Sequence, residues 1–549
     1  MSAVEVETTS SANLISQTDE ESIQVLTRRQ GAEMPIPSPP ARQSQSLNPV
    51  PEISDALEPS HMSFKQRLRR SFGLYLRAYS LCSVFASLGG FLFGFDTGSI
   101  GPVTVMPAFK AQFDPISPIL QGLIVSSILM TASVFSIFAG PLSDRFSRTH
   151  TFAVGGGIFS VGSIISSCAY NLAMLFVGRL ITGIGEGLFL STITVYILEI
   201  APTSIRGKLS CTTQLFVTLG VASGYFVAYG SVNIDSLLRG LVLPPAFAAL
   251  AALCRPHGGG CARVGVPRFT ATEAEKEQEV VQREQSEIEE VQHEETPEGA
   301  LQTARMLFDR NIRRRTMLGI FLMGMQQACG IDGVLYYAPV LFSQAGLSST
   351  TAAFLASGVS GLLNVACTII TQIYTDDWGR RSSMIRGGTI ISGTMLLIGI
   401  LYASNASSTL AGRWTIIALI YIFVIAFAMS WAVVNRIYCS EIQPMRTRAA
   451  ATSLGQCANW VVNWVIAFTT PLFLSASSSG PYFLFGACAL ITVVVCLLFQ
   501  PESKGVSLEG LDAIFEVSPW RRWAMRRASR MHNGREEPIA LRPISASAP

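Results

Sequence analysis

The sequence predicts an all-α membrane protein of twelve spanning helices, arranged as two pseudo-symmetric six-helix halves. Three observations predict it. Of 549 residues, 49% are hydrophobic and only 14% are charged, against roughly 25% charged in soluble domains, and mean hydropathy is +0.39. Apolar runs of spanning length, about 20 residues, recur along the chain. The loops after corresponding runs of the two halves carry matching charged motifs.

The runs can be taken in order. The first five lie near 80–100, 121–141, 151–170, 172–197 and 210–230, with short links between them. The sixth, near 241–255, is short for a span and ends against Arg255-Pro-His-Gly-Gly-Gly-Cys261. Real divergence and a mispredicted coding segment both account for it. Six more lie near 316–341, 352–374, 383–403, 414–435, 450–474 and 481–499. All are continuous rather than alternating, which excludes a β-barrel. Five segments follow: a disordered tail 1–79 rich in Ser, Pro, Thr and Glu, a half 80–255, a central loop 256–315, a half 316–499 and a basic tail 500–549. The first apolar run starts too late for a cleavable signal peptide.

Basic residues set the expected orientation. Lys65, Arg67, Arg69, Arg70 and Arg77 precede the first run, and Arg310, Arg313, Arg314 and Arg315 precede the seventh. Others follow the second, fourth, eighth and tenth runs. The opposite loops hold little beyond Lys110, Arg239 and Arg413. Both termini and the central loop are therefore expected in the cytoplasm, with the plasma membrane as location and a vacuolar membrane left open. The sequon Asn405-Ala-Ser407 falls on the outer side. In the last tail, Trp520, Arg521, Arg522, Trp523, Arg526, Arg527 and Arg530 suit an anionic inner leaflet or a plain solvated tail.

Composition also excludes classes. Lys+Arg 40 against Asp+Glu 37 gives no reason to expect nucleic acid. The 11 cysteines form no C-x-x-C pair, so neither a zinc ribbon nor a disulfide scaffold organises the chain. No nucleophile–base motif or metal-ligand spacing marks an enzyme, and no cofactor is implied.

The repeat is carried by four loops. Pro141-Leu-Ser-Asp144-Arg-Phe-Ser-Arg148 follows the second run, and Tyr374-Thr-Asp376-Asp-Trp-Gly379-Arg380-Arg381 follows the eighth. Glu199-Ile-Ala-Pro202-Thr-Ser-Ile-Arg206 follows the fourth, and Glu441-Ile-Gln-Pro444-Met-Arg-Thr-Arg448 the tenth. Matching halves of this kind imply a pseudo-two-fold along the membrane normal and a site at the midplane between them.

These motifs resemble those of the sugar porter branch of the major facilitator superfamily, over roughly residues 80–510. The resemblance also rests on Gly89-Gly90-Phe-Leu-Phe-Gly94-Phe-Asp96-Thr-Gly98, on Gly178-Arg179 with Gly183, Gly185 and Gly187, and on Gln326-Gln327 with Gly330, Tyr336 and Tyr337. Asn459-Trp460 with Asn463, and Pro501-Glu502-Ser-Lys504-Gly505, complete it. It implies the major facilitator fold, alternating access and a sugar substrate.

It also implies roles. Asp96 and Arg179 match the acid and arginine that serve proton coupling in the family's symporters. Ionised beside the guanidinium, the carboxylate takes a proton when the pair parts in a dry site; a static structural pair would use the same residues. Gln214, Gln326, Gln327, Asn364 and Asn459 match sugar-contact positions, with Asn463 beside them, and Tyr337 and Trp460 supply rings. Amides offer a donor and an acceptor to vicinal hydroxyls, and they also serve for interhelical bonding. Asp144, Arg148, Glu199, Arg206, Asp376, Arg380, Arg381, Glu441 and Arg448 read as an inner gate.

Four positions depart from the family. Asp332 stands where the family has Asn, and Arg436 where it has a sugar-stacking Trp. Both map to the substrate cavity, either as a mutually neutralising pair or with Arg436 receiving a sugar acid bidentately. Glu186 lies seven residues after Arg179, about 10 Å along the same helical face; it reads as a second protonatable group or as a bystander. The sixth run lacks its usual ending, and Ser147 replaces a glycine.

The expected function is proton-coupled transport of a monosaccharide. A sugar-acid symporter, a proton-independent facilitator and a nutrient sensor are the alternatives. Expected partners are a small sugar, protons and the lipid bilayer, with no nucleic acid and the chain a monomer.

Overall fold

A computed structural model of the protein describes residues 78–113, 116–200, 206–231, 305–310, 312–347, 350–375, 377–444, 447–504 and 515. The expected N-terminal tail, the sixth run, nearly all of the central loop and all but a few residues of the C-terminal tail lie outside these. Among the described residues the secondary structure is helical, without strands.

Five long helices stand at the first five runs: α1 (Ala78–Val105), α3 (Pro118–Phe146), α4 (Arg148–Ser167), α5 (Leu172–Ile200) and α6 (Arg206–Ser231), with a short α2 (Pro107–Phe113) after α1. The C-terminal half holds α7 (Arg313–Ala328), α8 (Ile331–Tyr336), α9 (Ala338–Gln344), α10 (Thr350–Tyr374), α11 (Arg380–Ala403), α12 (Leu410–Ala428), α13 (Trp431–Glu441), α14 (Arg448–Ala476) and α15 (Gly480–Phe499). Nine described segments are long and apolar enough to cross a membrane. Neither α1 nor the Gly- and Ser-rich α4 is among them; α1 packs closely on α6 and α4 on α5.

Local chemistry sets several ends. Ser117 accepts the Leu120 N–H at 3.2 Å ahead of Pro118, which opens α3. Thr409 does the same for Gly412 at 3.1 Å before α12. α3 ends at Ser147, whose φ of 96° lies in the region that favours glycine. The missing glycine therefore leaves a strained backbone at this turn.

Small residues let the helices approach. A Cβ on Gly94 or Gly98 of α1 would run into the carbonyls of Val217 or Val221 on α6. Gly220 and Gly224 of α6 lie equally close to Phe91 and Phe95. With lipid on one side and backbone on the other, van der Waals contact at this range drives association.

The packing repeats between halves. α1 packs on α6 as α7 packs on α14, and α4 on α5 as α11 on α12. The halves meet through α3 against α14 and through α6 against α10, which a two-fold would interchange. Two runs expected as continuous are broken instead. The seventh breaks at Gly330, φ 86°, and again at Tyr337 into α7, α8 and α9, and the tenth breaks at Met429 and Ser430 into α12 and α13. Continuous apolar runs hide such breaks, because hydropathy does not register the conformation of one or two residues, left-handed at Gly330 and right-handed at Met429.

Candidate functional site

The first cluster sits on α1 and α5. Arg179 grips Asp96 with two bonds, Nη1 to Oδ1 at 3.2 Å and Nη2 to Oδ2 at 3.3 Å, and Nη2 also donates to the Val125 carbonyl at 3.1 Å. The arginine side chain is 5% exposed and the aspartate 23%. A fork-to-fork pair of this kind, with the arginine buried and the aspartate half-buried, holds both charges against their desolvation. Glu186, on the same helix as Arg179, is 0% exposed, and neither of its oxygens has a hydrogen-bond partner. Asp96, Arg179 and Asp332 lie within electrostatic reach of it.

The second cluster forms where the seventh run breaks. Gln326 donates from Nε2 to the Trp431 carbonyl at 2.7 Å, which ties α7 to the start of α13. Gln327 Nε2 donates to Asn459 Oδ1 at 3.3 Å, and Asn459 Nδ2 reaches Gln326 Oε1 at 3.3 Å and the Met323 carbonyl at 2.8 Å. Asn463 Nδ2 donates to Asp332 Oδ2 at 2.5 Å. Tyr337 donates to the Ala467 carbonyl at 2.8 Å, and the Trp460 ring stands edge-on to Phe93 of α1, centroids 5.2 Å apart. Gln327 Oε1, Asn364 Oδ1, Asn463 Oδ1 and Trp460 Nε1 are buried without a partner among the described residues. Three acceptors and a donor are thus left unsatisfied in close-packed protein.

The third cluster lies between the halves. A narrow cleft of about 30 Å³ is lined by Thr194 of α5, Ser210, Thr213 and Gln214 of α6, and Arg436 and Ser440 of α13. Gln214 and Arg436 are half-buried, and Arg436 Nε has no partner. Asp332 and Arg436 do not meet within 4.0 Å: the ion pairs of that reach among the described residues are Arg179–Asp96 and Arg380–Glu441. Asp332 has Asn463 instead.

The gate motifs are partly placed. Asp376 lies outside the described residues, as do the side chains of Asp144, Glu199 and Arg206. Arg148 donates to Ser143 Oγ at 2.5 Å. Arg380 pairs with Glu441 at 3.3 Å, Arg381 donates to the Leu497 carbonyl at 2.7 Å, and Arg448 to the Gln443 carbonyl at 3.3 Å. Glu502 caps α11, accepting the backbone N–H of Arg380 at 2.6 Å and of Arg381 at 3.1 Å, where the helix dipole favours an anion. These contacts of Arg380, Arg381, Arg448 and Glu502 all stay within the C-terminal half.

Several residues escaped the sequence reading. Trp431 is fully buried and anchors the broken tenth run through Nε1 to the Met384 carbonyl at 2.9 Å. Asn435 ties α13 to α7 at the Leu322 carbonyl, 2.9 Å. Gln372 of α10 bridges to Thr212 of α6 at 3.2 Å, and Tyr225 of α6 donates to the Leu335 carbonyl, both across the halves. Polar residues on otherwise apolar spans were the available signal.

Comparison with known proteins fits this arrangement. The profile of the sugar (and other) transporter family matches residues 82–515. The chain is 32% identical over 471 residues to the H(+)/hexose cotransporter 1 of Parachlorella kessleri, covering 79% of this chain and 87% of that one. It is 29% identical over 444 residues to the galactose-proton symporter of Escherichia coli strain K12, covering 78% and 92%. Among solved structures, the proton:xylose symporter XylE bound to 6-bromo-6-deoxy-D-glucose superposes with a TM-score of 0.64 at 25% identity, covering 81% of this chain and 99% of that one.

Proposed function

The chain belongs to the family of sugar (and other) transporters, and from that membership we propose that it moves a monosaccharide together with a proton across a membrane by alternating access. The observation that carries the reading is the two-bond Asp96–Arg179 pair, with its arginine buried, in a bundle that also holds an amide cluster. Sugar hydroxyls bond Gln326, Gln327 and Asn459 at the broken seventh run, with Gln214, Asn364 and Asn463 around them and Tyr337 and Trp460 as apolar walls. Closure of the two halves, 80–255 and 316–499, around the sugar strains the carboxylate–guanidinium pair. When it parts, Asp96 in a dry site takes a proton, and the site crosses with one sugar and one proton. The motif charges Asp144, Arg148, Glu199, Arg206, Asp376, Arg380, Arg381, Glu441 and Arg448 steady the inner ends of the spans. The clustering of Lys and Arg supports cytoplasmic termini in this reading, and the plasma membrane is the proposed location.

Uptake into vesicles with and without an inward proton gradient tests it. The wild-type protein should accumulate sugar only with the gradient, by about tenfold per pH unit for one proton. Asp96→Asn should abolish accumulation. Accumulation that survives this substitution would show a coupling route other than Asp96.

A second reading concerns the substrate. Arg436 faces the cleft beside Gln214 without an ion-pair partner, which favours a sugar acid over a neutral sugar through a bidentate contact. A competition panel of hexoses, pentoses and uronates on wild type and Arg436→Trp decides it. Uronates should compete with the wild type and weaken by about tenfold or more in the variant, the loss of one charge-assisted bond. Indifference of the wild type to every uronate returns the substrate to a neutral sugar.

A further inference from the structure

We propose that Glu186 is a second proton-binding site, the inner station of a relay that receives the proton first taken by Asp96. The inference rests on the proton-coupled reading above and names the next step in it. Glu186 is sealed, at 0% exposure. The helix packing explains why. A Cβ on Gly183 would strike the Ile128 carbonyl of α3, one on Gly187 would meet the Ala132 carbonyl at 2.5 Å, and one on Gly185 would strike the Gly155 carbonyl of α4. Those glycines draw α5 against both neighbours on either side of Glu186, so its carboxyl sits in close-packed protein.

Neither Glu186 oxygen has a hydrogen-bond partner among the described residues. A bare carboxylate ion in such a place costs several kcal/mol, whereas a neutral carboxyl costs far less. The state described therefore has the proton on Glu186 and the negative charge on Asp96, where Arg179 answers it. The groups that bear on Glu186 are Asp96 from α1, Asp332 and Tyr336 from α8, and Arg179 from its own helix. Arg179 stands two turns from Glu186 on one face, about 10 Å away, and its Nε is buried without a partner. A guanidinium on a flexible stem can lean from one carboxylate toward the other.

The relay balances. From the state described, Glu186 gives its proton up toward the inner side as Asp96 takes one from the outer side, and Arg179 turns to the Glu186 carboxylate. The Asp96 O–H bond then breaks, a Glu186 O–H bond forms, and Arg179 returns to Asp96, which restores the starting state. Two carboxyl groups share one proton and one guanidinium, so the trio stays neutral in both arrangements. In the orientation that the basic loops support, α5 runs inward, and Glu186 lies deeper than Arg179.

The test uses the full chain in vesicles, with D-glucose, D-galactose, D-xylose and D-galacturonate as probes. Accumulation under a proton gradient, proton entry per sugar, and sugar-for-sugar exchange without a gradient are measured for wild type, Glu186→Gln, Glu186→Asp and Asp96→Asn. Glu186→Gln should lose the whole of the gradient-driven accumulation, about tenfold per pH unit, and its proton entry, while exchange falls much less. Glu186→Asp should recover part of both. A Glu186→Gln protein with wild-type accumulation and proton entry overturns the relay alone, whereas a wild type that accumulates none of the probes overturns the transport reading beneath it. If the variants do not fold, infrared spectra of the wild type decide: a protonated-carboxyl signal at neutral pH supports the site, and its absence overturns it.

Discussion

At the scale of single residues, the site is a set of polar atoms with uneven satisfaction. Asn459 uses its amide on Gln326, Gln327 and Met323, so it is a brace as much as a contact. Gln327 spends its donor on that brace and keeps Oε1 buried without a partner. Replacing Gln327 by Ala should therefore raise the KM for sugar by about tenfold, the value of a single well-made hydrogen bond, with the saturated rate changed less. Initial-rate uptake over a range of sugar concentrations checks this, and an unchanged KM would remove Gln327 from the sugar site. The residue types of this cluster were legible, since amides and carboxylates stand out on apolar spans. Their bonding was not. Nothing local to Asp332 indicates that Asn463, on another helix, takes its oxygen while Arg436 goes without an ion pair.

At the scale of elements, the breaks matter more than the helices. Gly330 adopts φ 86°, and a Cβ there would strike the Phe485 ring. The turn it makes ends α7 just after the two glutamines and starts α8 just before Asp332. Gly330→Ala should destabilise the fold by about 1–3 kcal/mol, visible as a lower melting temperature in detergent, and should weaken sugar binding with it. An alanine variant as stable as wild type would mean that the turn relaxes freely. Twelve apolar runs could be counted from hydropathy and caps read from Ser117 or Thr409. Both breaks stayed hidden, because an unwound turn inside a span is tolerated only where neighbouring helices satisfy its backbone, and those neighbours come from elsewhere in the chain.

At the scale of the whole molecule, polar bridges between the halves are seen among the described residues. Gln372 to Thr212, at 3.2 Å, joins α10 to α6, and Tyr225 joins α6 to α8. The most extensive contact is close packing of α3 on α14 and of α6 on α10, with α8 and α9 also against α1. Such an interface can shift as two bodies, as rocking requires. Cysteines at 212 and 372 joined by a short thiol-specific linker should cut transport by about tenfold or more and recover when the linker is reduced, because alternating access needs the interface to move. Full transport with the linker in place would show that these two helices keep their contact throughout the cycle.

The sequence by itself determined that the chain is helical, crosses a membrane many times and is built as two related halves, because hydropathy, basic loops and repeated motifs are properties of short segments. It also carried the residues of a proton pair and of a sugar site as matches to a family. Only the tertiary structure decided which of those residues meet. Arg179 reaches Asp96 across two helices that glycines allow to approach, Asp332 turns to Asn463, Arg436 is left facing a cleft, and Glu186 is sealed without a partner. The reason is physical: whether a charge in a bilayer is paired, bare or wet depends on what packs against it, and packing joins parts of the chain that local pattern cannot see together.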